Sequence, residues 1–167
     1  IDRGDADPDE QYTTELTRAE CLDTMIRDSN NSCAEQMWNE FDKRTQNEQL
    51  QVLGIEDTNM VLTTTTPTDA ATLLQLVSNG RGLSSDSRQA YLDSLLNQPD
   101  FYRTGLPSGF SDGVLVYNKV GFNENNIWHE SAIVEFEDGR QMTVSVFTQN
   151  VGKEKIAELA EALEKAI

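Results

Sequence analysis

Three adjacent polar residues, Ser29-Asn30-Asn31, interrupt two stretches of helical apolar spacing in TRAECLDTMIRDSNNSCAEQMWNEF, residues 17–41. A hydroxyl and a carboxamide held rigidly at such a break can both hydrogen-bond a substrate lying in a cleft. Ser and Asn are also common helix N-caps, so a plain helix–helix turn capped by Ser29 or Asn31 accounts for the same residues. Taken alone, the three residues leave both readings open.

The elements that must hold them are easier to read. Thr17 followed by Glu20 is a capping box that starts the first helix. Ala19, Leu22, Met25 and Ile26 give that helix one apolar face, and Cys33, Met37, Trp38 and Phe41 repeat the pattern after the break. Cys21 and Cys33 lie one on each helix. They either form a disulfide that ties the helices together or remain two buried thiols, and geometry decides between these. A disulfide would suit an extracytoplasmic location.

Composition narrows the function classes. The 167 residues suit one domain with a sizeable core. The balance is acidic, 29 Asp and Glu against 13 Lys and Arg, for a formal net charge of -16. Such a surface repels polyanions, so nucleic acid is not an expected partner. No apolar run approaches membrane-spanning length. One His and two Cys exclude a Cys/His zinc cluster. The opening IDRGDADPDE is no signal peptide and reads as a turn from within a domain, so upstream sequence is expected.

Residues 1–15 are expected to be irregular, punctuated by Gly4 and Pro8. A short third helix spans Gln46–Leu53 and stops at Gly54, followed by an extended Thr-rich connection, Ile55–Thr65. Thr66-Pro67-Thr68-Asp69 starts a helix with Ala70, Leu73, Leu74 and Val77 facing inward. Another helix runs from Ser84 or Ser85 to about Asn97, and QPDFYRTGLPSGFSDG follows as a loop. Three strands then read as VLVYNKVG, SAIVEF and MTVSVF, with Asp138-Gly139 as a two-residue hairpin between the last two. From Lys153 a final helix carries Ile156, Leu159, Ala160, Leu163 and Ile167 as one stripe. The expected fold is α+β, a mainly helical lobe over residues 16–97 and an antiparallel sheet with a terminal helix over 114–167. Three strands with apolar residues on both faces leave two open edges, so further strands and a helix should belong with this sheet. Copies of the chain are expected to associate or exchange elements through those edges.

In this order the pieces resemble the class A β-lactamase branch of the penicillin-recognising serine hydrolases, marked by Ser-x-x-Lys, Ser-Asp-Asn and Lys-Thr-Gly. MIRDSNNSCAEQM resembles the family's Ser-Asp-Asn-bearing helix pair with Ser29-Asn30-Asn31 in its place, TTTTPTDAATLLQLVSNGRGLSSDSRQAYLDSLLNQ the helical lobe, and NKVGFNENNIWHESAIVEFEDGRQMTVSVFTQN the Lys-Thr-Gly strand with its two successors. The resemblance implies that Ser29 relays a proton to the leaving nitrogen and that Asn31 binds the substrate's amide side chain. It implies that Lys119 supplies positive potential for the substrate carboxylate and that Gly121 admits the substrate backbone. His129 and Glu130 would be structural, at the start of the next strand. No cofactor is implied, and the expected ligand is a β-lactam or a peptidoglycan peptide, met outside the cytoplasm.

The departures are as informative. No Ser in the chain has Lys three residues on, so the nucleophile segment is missing from these residues. No Glu-x-x-Leu-Asn is present, so a deacylating Glu is missing as well. Asn30 stands where the family has Asp. Val120 stands where it has Thr, removing a hydroxyl for the substrate carboxylate. The expectation is a serine-hydrolase domain acting on β-lactams or D-alanyl peptides but inactive as this chain alone. The alternative is a β-lactamase-like module that binds peptidoglycan without catalysis.

Overall fold

A computed structural model describes residues 6–167; the expectation for Gly4 lies outside them. Seven helices and three strands follow in order: α1 (Arg18–Arg27), α2 (Asn31–Glu40), α3 (Lys43–Val52), α4 (Pro67–Ser78), α5 (Ser85–Leu96), α6 (Leu106–Gly109), β1 (Leu115–Asn123), β2 (Ile127–Glu135), β3 (Gln141–Gln149) and α7 (Lys153–Ala166). The strands form an antiparallel meander, β1-β2-β3. The fold is α+β.

The sheet is covered on both faces because its central strand is apolar on both. Ala132 and Val134 join Val116, Leu106, Phe110, Ile156 and Ala160 in the core beneath α6 and α7. Ile133, pointing the other way, joins Leu74, Val77, Leu92 and Leu95 beneath α4 and α5. Gly109 lets α6 approach α7, since a Cβ there would lie 2.1 Å from the Ala157 carbonyl oxygen.

Several boundaries differ from the sequence reading. α3 starts at Lys43 rather than Gln46, because the Asp42 carboxylate accepts the Thr45 N–H and caps it. Ile55–Thr65 is not extended. Asn59 and Thr64 exchange backbone hydrogen bonds, and the Asn59 side chain accepts from the Val61 and Leu62 amides. β2 starts at Ile127 rather than Ser131, since Asn126 adopts a left-handed φ of 54° and closes a hairpin in which Asn123 faces Ile127. The turn at Asp138-Gly139 has three residues, not two. Phe136 and Arg140 close it, and only Gly139 takes a positive φ, whereas a two-residue type I′ turn needs two such residues.

Around the Ser29 break, α1 and α2 are braced twice. Cys21 and Cys33 form a disulfide with Cα atoms 5.3 Å apart, which settles the alternative left open by spacing. Arg18 reaches both Glu10, at 3.0 Å, and Glu40, at 2.9 Å, tying the preceding segment and the end of α2 to α1. Away from this break, Trp38, Leu50, Leu53, Ile55, Met60 and Leu73 line an apolar cavity of about 630 Å³. Leu73, expected to face inward, is partly exposed there.

The disulfide closes a short loop, and cross-linking such a loop is worth about 3 kcal/mol by restricting the unfolded chain. Cys33→Ser should therefore lower unfolding stability by about 2–3 kcal/mol in urea titration, and reduction of the wild-type chain should do the same.

Candidate functional site

Ser29 occupies an unusual backbone state. It follows the C-cap residue Asp28 with φ of 55°, the left-handed position that helices commonly give to glycine. The Asn30 N–H donates back to the Thr24 carbonyl at 3.1 Å, the long bond of a helix-stop motif. Asn30 then caps α2, its side chain accepting the Cys33 N–H at 3.1 Å. The helix cap is thus Asn30, neither Ser29 nor Asn31. That leaves the Ser29 hydroxyl uncommitted to the turn.

Its partner comes from the sheet. Lys119 on β1 donates to Ser29 Oγ at 2.5 Å and to the Val120 carbonyl at 2.9 Å, and its Nζ lies 5.9 Å from the Tyr102 ring centre. Burial pushes the Lys119 ammonium below its ordinary pKa. A hydroxyl that accepts from an ammonium keeps its own proton to donate elsewhere, so the pair can pass a proton to a third atom in the cleft. α5 carries α1 to the sheet: Ser94 on α5 donates to Asp23 on α1 at 2.7 Å, and α5 packs against β1.

The remaining site candidates divide by face. Gly121 lies on the Lys119 face of β1, and a Cβ built there meets nothing within 4 Å, so the cleft wall is open at that point. Val120 is buried with its side chain turned to the opposite face, next in the series Val116, Asn118, Val120. Asn31 is exposed on the first turn of α2, and no side-chain bond ties it down among the described residues.

The outer edge of β1 is mostly sealed. Arg103 donates to the Val116 carbonyl at 3.3 Å, the Gln98 amide to the Asn118 carbonyl, and Lys119 to the Val120 carbonyl. The same alternation turns the Phe122 N–H and C=O outward, next to Gly121. An extended ligand can pair there, one residue beyond the Ser29–Lys119 contact.

Beneath this edge lies a polar cluster that the sequence did not reveal. Asn118 donates to the Tyr102 carbonyl at 2.8 Å and to Glu130 Oε1 at 2.7 Å, while the other Glu130 oxygen accepts the Leu106 N–H at 3.0 Å. Glu130 is 1 % exposed and directly opposes Val120 in the ladder. Burial pushes its carboxyl up to about 7, opposed by those hydrogen bonds and by the Arg103 charge. Gln98, Tyr102, Arg103 and Leu106 all come from the segment read as a loop, which folds into a 3-10 turn, Asp100–Arg103, and α6. The available signal was Pro99 before Asp100 and Pro107 at the start of α6. His129 lies within β2 rather than at its start; it stacks on Phe147 at 4.3 Å and its Nδ1 accepts the Thr148 N–H at 3.1 Å.

A family model described as the beta-lactamase enzyme family matches residues 3–167. No curated protein matches the chain. Among solved structures, PBP-A is 24% identical with a TM-score of 0.77, covering 90% of this chain and 61% of that one. A PBP-A variant solved as its acyl-enzyme complex with penicillin G is 23% identical, also at 0.77, covering 96% and 66%. A β-lactamase from Streptosporangium roseum is 19% identical at 0.81, covering 92% and 66%. At these identities the likeness is one of fold. The chain spans less than two thirds of those structures' lengths.

Two measurements follow from this geometry. Ser29→Gly and Ser29→Ala both lose the hydroxyl, but only Gly relieves the left-handed backbone, so the Gly variant should be more stable than the Ala variant by about 1 kcal/mol in denaturant titration. For Glu130, the folded pKa of about 7 exceeds the ordinary 4.5. Between those values the unfolded chain has lost a proton that the folded chain keeps, so stability falls as pH rises through this window and levels off above it. The fall attributable to Glu130 is about 3 kcal/mol at most, and Glu130→Gln should remove it from a pH series of unfolding curves.

Proposed function

Because the chain belongs to the beta-lactamase enzyme family, we propose that it supplies the larger part of an acyl-transfer site for β-lactams or D-alanyl peptides. The observation that carries this reading is the Lys119 Nζ–Ser29 Oγ contact between residues 90 positions apart. In the proposed reaction a serine hydroxyl gives its proton to its neighbouring lysine and attacks the substrate carbonyl, the C–N bond breaks, the leaving nitrogen takes a proton from Ser29, and the lysine's proton restores the Ser29 hydroxyl. Lys119 holds the substrate carboxylate and stabilises negative charge arising at Ser29. Asn31 binds the substrate's amide side chain, and Gly121 leaves room for its backbone beside the Phe122 edge.

Val120 contributes no hydroxyl, and the loss of a hydrogen bond to a charged carboxylate is worth about 1.5–3 kcal/mol of substrate capture. The attacking serine and its lysine are not among the 167 residues, since no Ser-x-x-Lys occurs in them. In the acyl-transfer reading they are supplied by residues outside these 167. The Cys21–Cys33 disulfide supports an oxidising, extracytoplasmic setting for this chemistry. Among the described residues no helix is long and apolar enough to cross a membrane. The absent Glu-x-x-Leu-Asn, Asn30 in place of Asp and the Val120 side chain favour a second reading, a peptidoglycan-binding module without turnover.

Intact-mass measurement after incubation with benzylpenicillin separates the readings. The 167-residue chain alone should form no adduct. With a Ser-x-x-Lys segment restored, a stable adduct should form and hydrolyse slowly, and Lys119→Ala should slow its formation by about 10²–10⁴-fold. If the restored protein forms no adduct at all, the binding-module reading replaces the enzyme.

A further inference from the structure

The proton relay uses Lys119 as an ammonium, and the same two atoms have a second chemistry once that nitrogen is a neutral amine. An ammonium has three N–H groups and no lone pair. The amine keeps two N–H groups and gains a lone pair. One N–H can stay on the Val120 carbonyl, 2.9 Å away, while the lone pair faces Ser29 Oγ at 2.5 Å. The hydrogen bond then reverses, with Ser29 donating and Lys119 accepting. A hydroxyl in reach of a base that a third group orients is the arrangement that activates a serine, and lysine is that base in Ser-Lys variants of the serine triad.

The backbone suits Ser29 to this role. Its φ of 55° puts it on a strained turn that leads through the cap Asn30 into α2. Hydrolases use sharp, strained turns into helices to hold a serine Oγ clear of its neighbours. The partial positive charge at the start of α2 favours negative charge developing on that oxygen. Ser29 and Lys119 are both half-buried, so a small ligand reaches them.

Among the described residues no carboxylate pairs with Lys119 to hold it as an ammonium, and burial pushes its pKa below the ordinary value. Tyr102 faces it from the 3-10 turn, its ring centre 5.9 Å from Nζ. His129, opposite Gly121 on β2, accepts the Thr148 N–H, and Asp28, next to Ser29, is paired with Arg27 at 3.0 Å. Arg103 and Glu130 are tied to Asn118, whose side chain leaves the other face of β1. On α5, Arg88 and Asp93 act on Tyr117, one step back on the Lys119 face.

We propose that Ser29 and Lys119 are a nucleophile–base dyad in their own right, acylated at Ser29 by uncharged activated esters. The Lys119 amine takes the Ser29 hydroxyl proton as Oγ bonds to the acyl carbon, and the ester C–O bond breaks. The resulting ammonium gives that proton to the departing alkoxide or, where this is a stable phenolate, to water. The product is an acyl ester on Ser29. This activity needs no residue outside the 167 and does not rest on the acyl-transfer reading above. The two chemistries use opposite protonation states of one lysine: the ammonium holds a carboxylate, whereas attack on an ester requires the amine. The substrate is therefore uncharged, and a net charge of -16 leaves such a molecule unrepelled. Benzylpenicillin is an anion, finds no charged partner in the amine, and stays without an adduct on the 167-residue chain.

The 167-residue chain incubated with p-nitrophenyl acetate tests this. Tryptic peptides are mapped by fragmentation before and after hydroxylamine, which cleaves an ester but spares an acetyl-lysine amide. The expected result is a hydroxylamine-sensitive acetyl on Ser29, formed with a stoichiometric burst of nitrophenolate. The background-corrected burst rate should rise with pH and level off with a midpoint below 10.5, the ordinary lysine value. Lys119→Met keeps the side chain's length and should slow the burst by about 10²–10⁴-fold, the contribution of a positioned base. Ser29→Ala should leave no ester. Acetyl groups confined to lysines, or an ester on Ser32 in place of Ser29, overturn the dyad. So does a Lys119→Met protein that forms the ester at the unmodified rate. The mapping is read on the unaltered chain, so a variant that fails to fold leaves the test standing.

Discussion

The contact between Lys119 and Ser29 is made against two opposing costs. The ammonium is drawn out of water, which disfavours its charge, and Ser29 holds a left-handed backbone that costs an L-residue about 1–2 kcal/mol. The contact is one hydrogen bond to a charged group, worth about 1.5–3 kcal/mol, which these costs largely cancel. The offset comes from the braces. The disulfide removes freedom from the unfolded loop, the Asn30 cap and the bond to Thr24 fix the turn on both sides, and Arg18 clamps the ends of α1 and α2. Strain at one residue persists because its surroundings leave the turn no other conformation.

The sheet side of the contact is fixed by a different kind of constraint. A strand edge left open would let Lys119 swing with its backbone. Here three carbonyls of β1 are tied by Arg103, Gln98 and Lys119, while Asn118 and Glu130 fasten the 3-10 turn and α6 to the strand from below. Burying a carboxyl among these groups costs stability at neutral pH, and only good hydrogen bonding makes it tolerable. A Cβ on Gly105 would lie 1.8 Å from the Glu130 carboxylate, so the cluster also dictates a residue without a side chain there. Asn118 also holds the carbonyl of Tyr102, whose ring lies 5.9 Å from the Lys119 ammonium.

Elements whose identity rests on local chemistry were legible in the sequence. Thr17 with Glu20 starts α1 by the capping box, and Thr66 with Pro67 starts α4. The three strands were readable from β-branched content, although β1 and β2 run further than that content suggests. Asn126 accepts a left-handed φ, and the hairpin it closes extends pairing through Asn123 and Ile127. What spacing could not show is which distant groups meet. Nothing local marks Asn118 or Glu130 as partners, since a buried polar cluster is defined by residues from separate elements. The cap was misassigned by one residue for a related reason: Ser29, Asn30 and Asn31 can all cap, and only the backbone reveals that Ser29 sits in the left-handed state.

The two edges of the sheet follow opposite rules. On β1, carbonyls at alternate positions are occupied by side chains until Phe122, where the pattern stops. On β3, Gln141–Gln149 contains no charged residue and no Pro, and no strand lies beyond it among the described residues. Natural edge strands are commonly protected by lysine, proline or a bulge. β3 has no charge or proline, whereas β1 is blocked by its own protein at all but one step. A ligand that needs backbone pairing therefore has a single short register available on the β1 side, beside the hydroxyl and ammonium that would act on it. The register left open to such a ligand is set by the closing of the other positions, which is a property of Gln98, Arg103 and Lys119 together rather than of any one side chain.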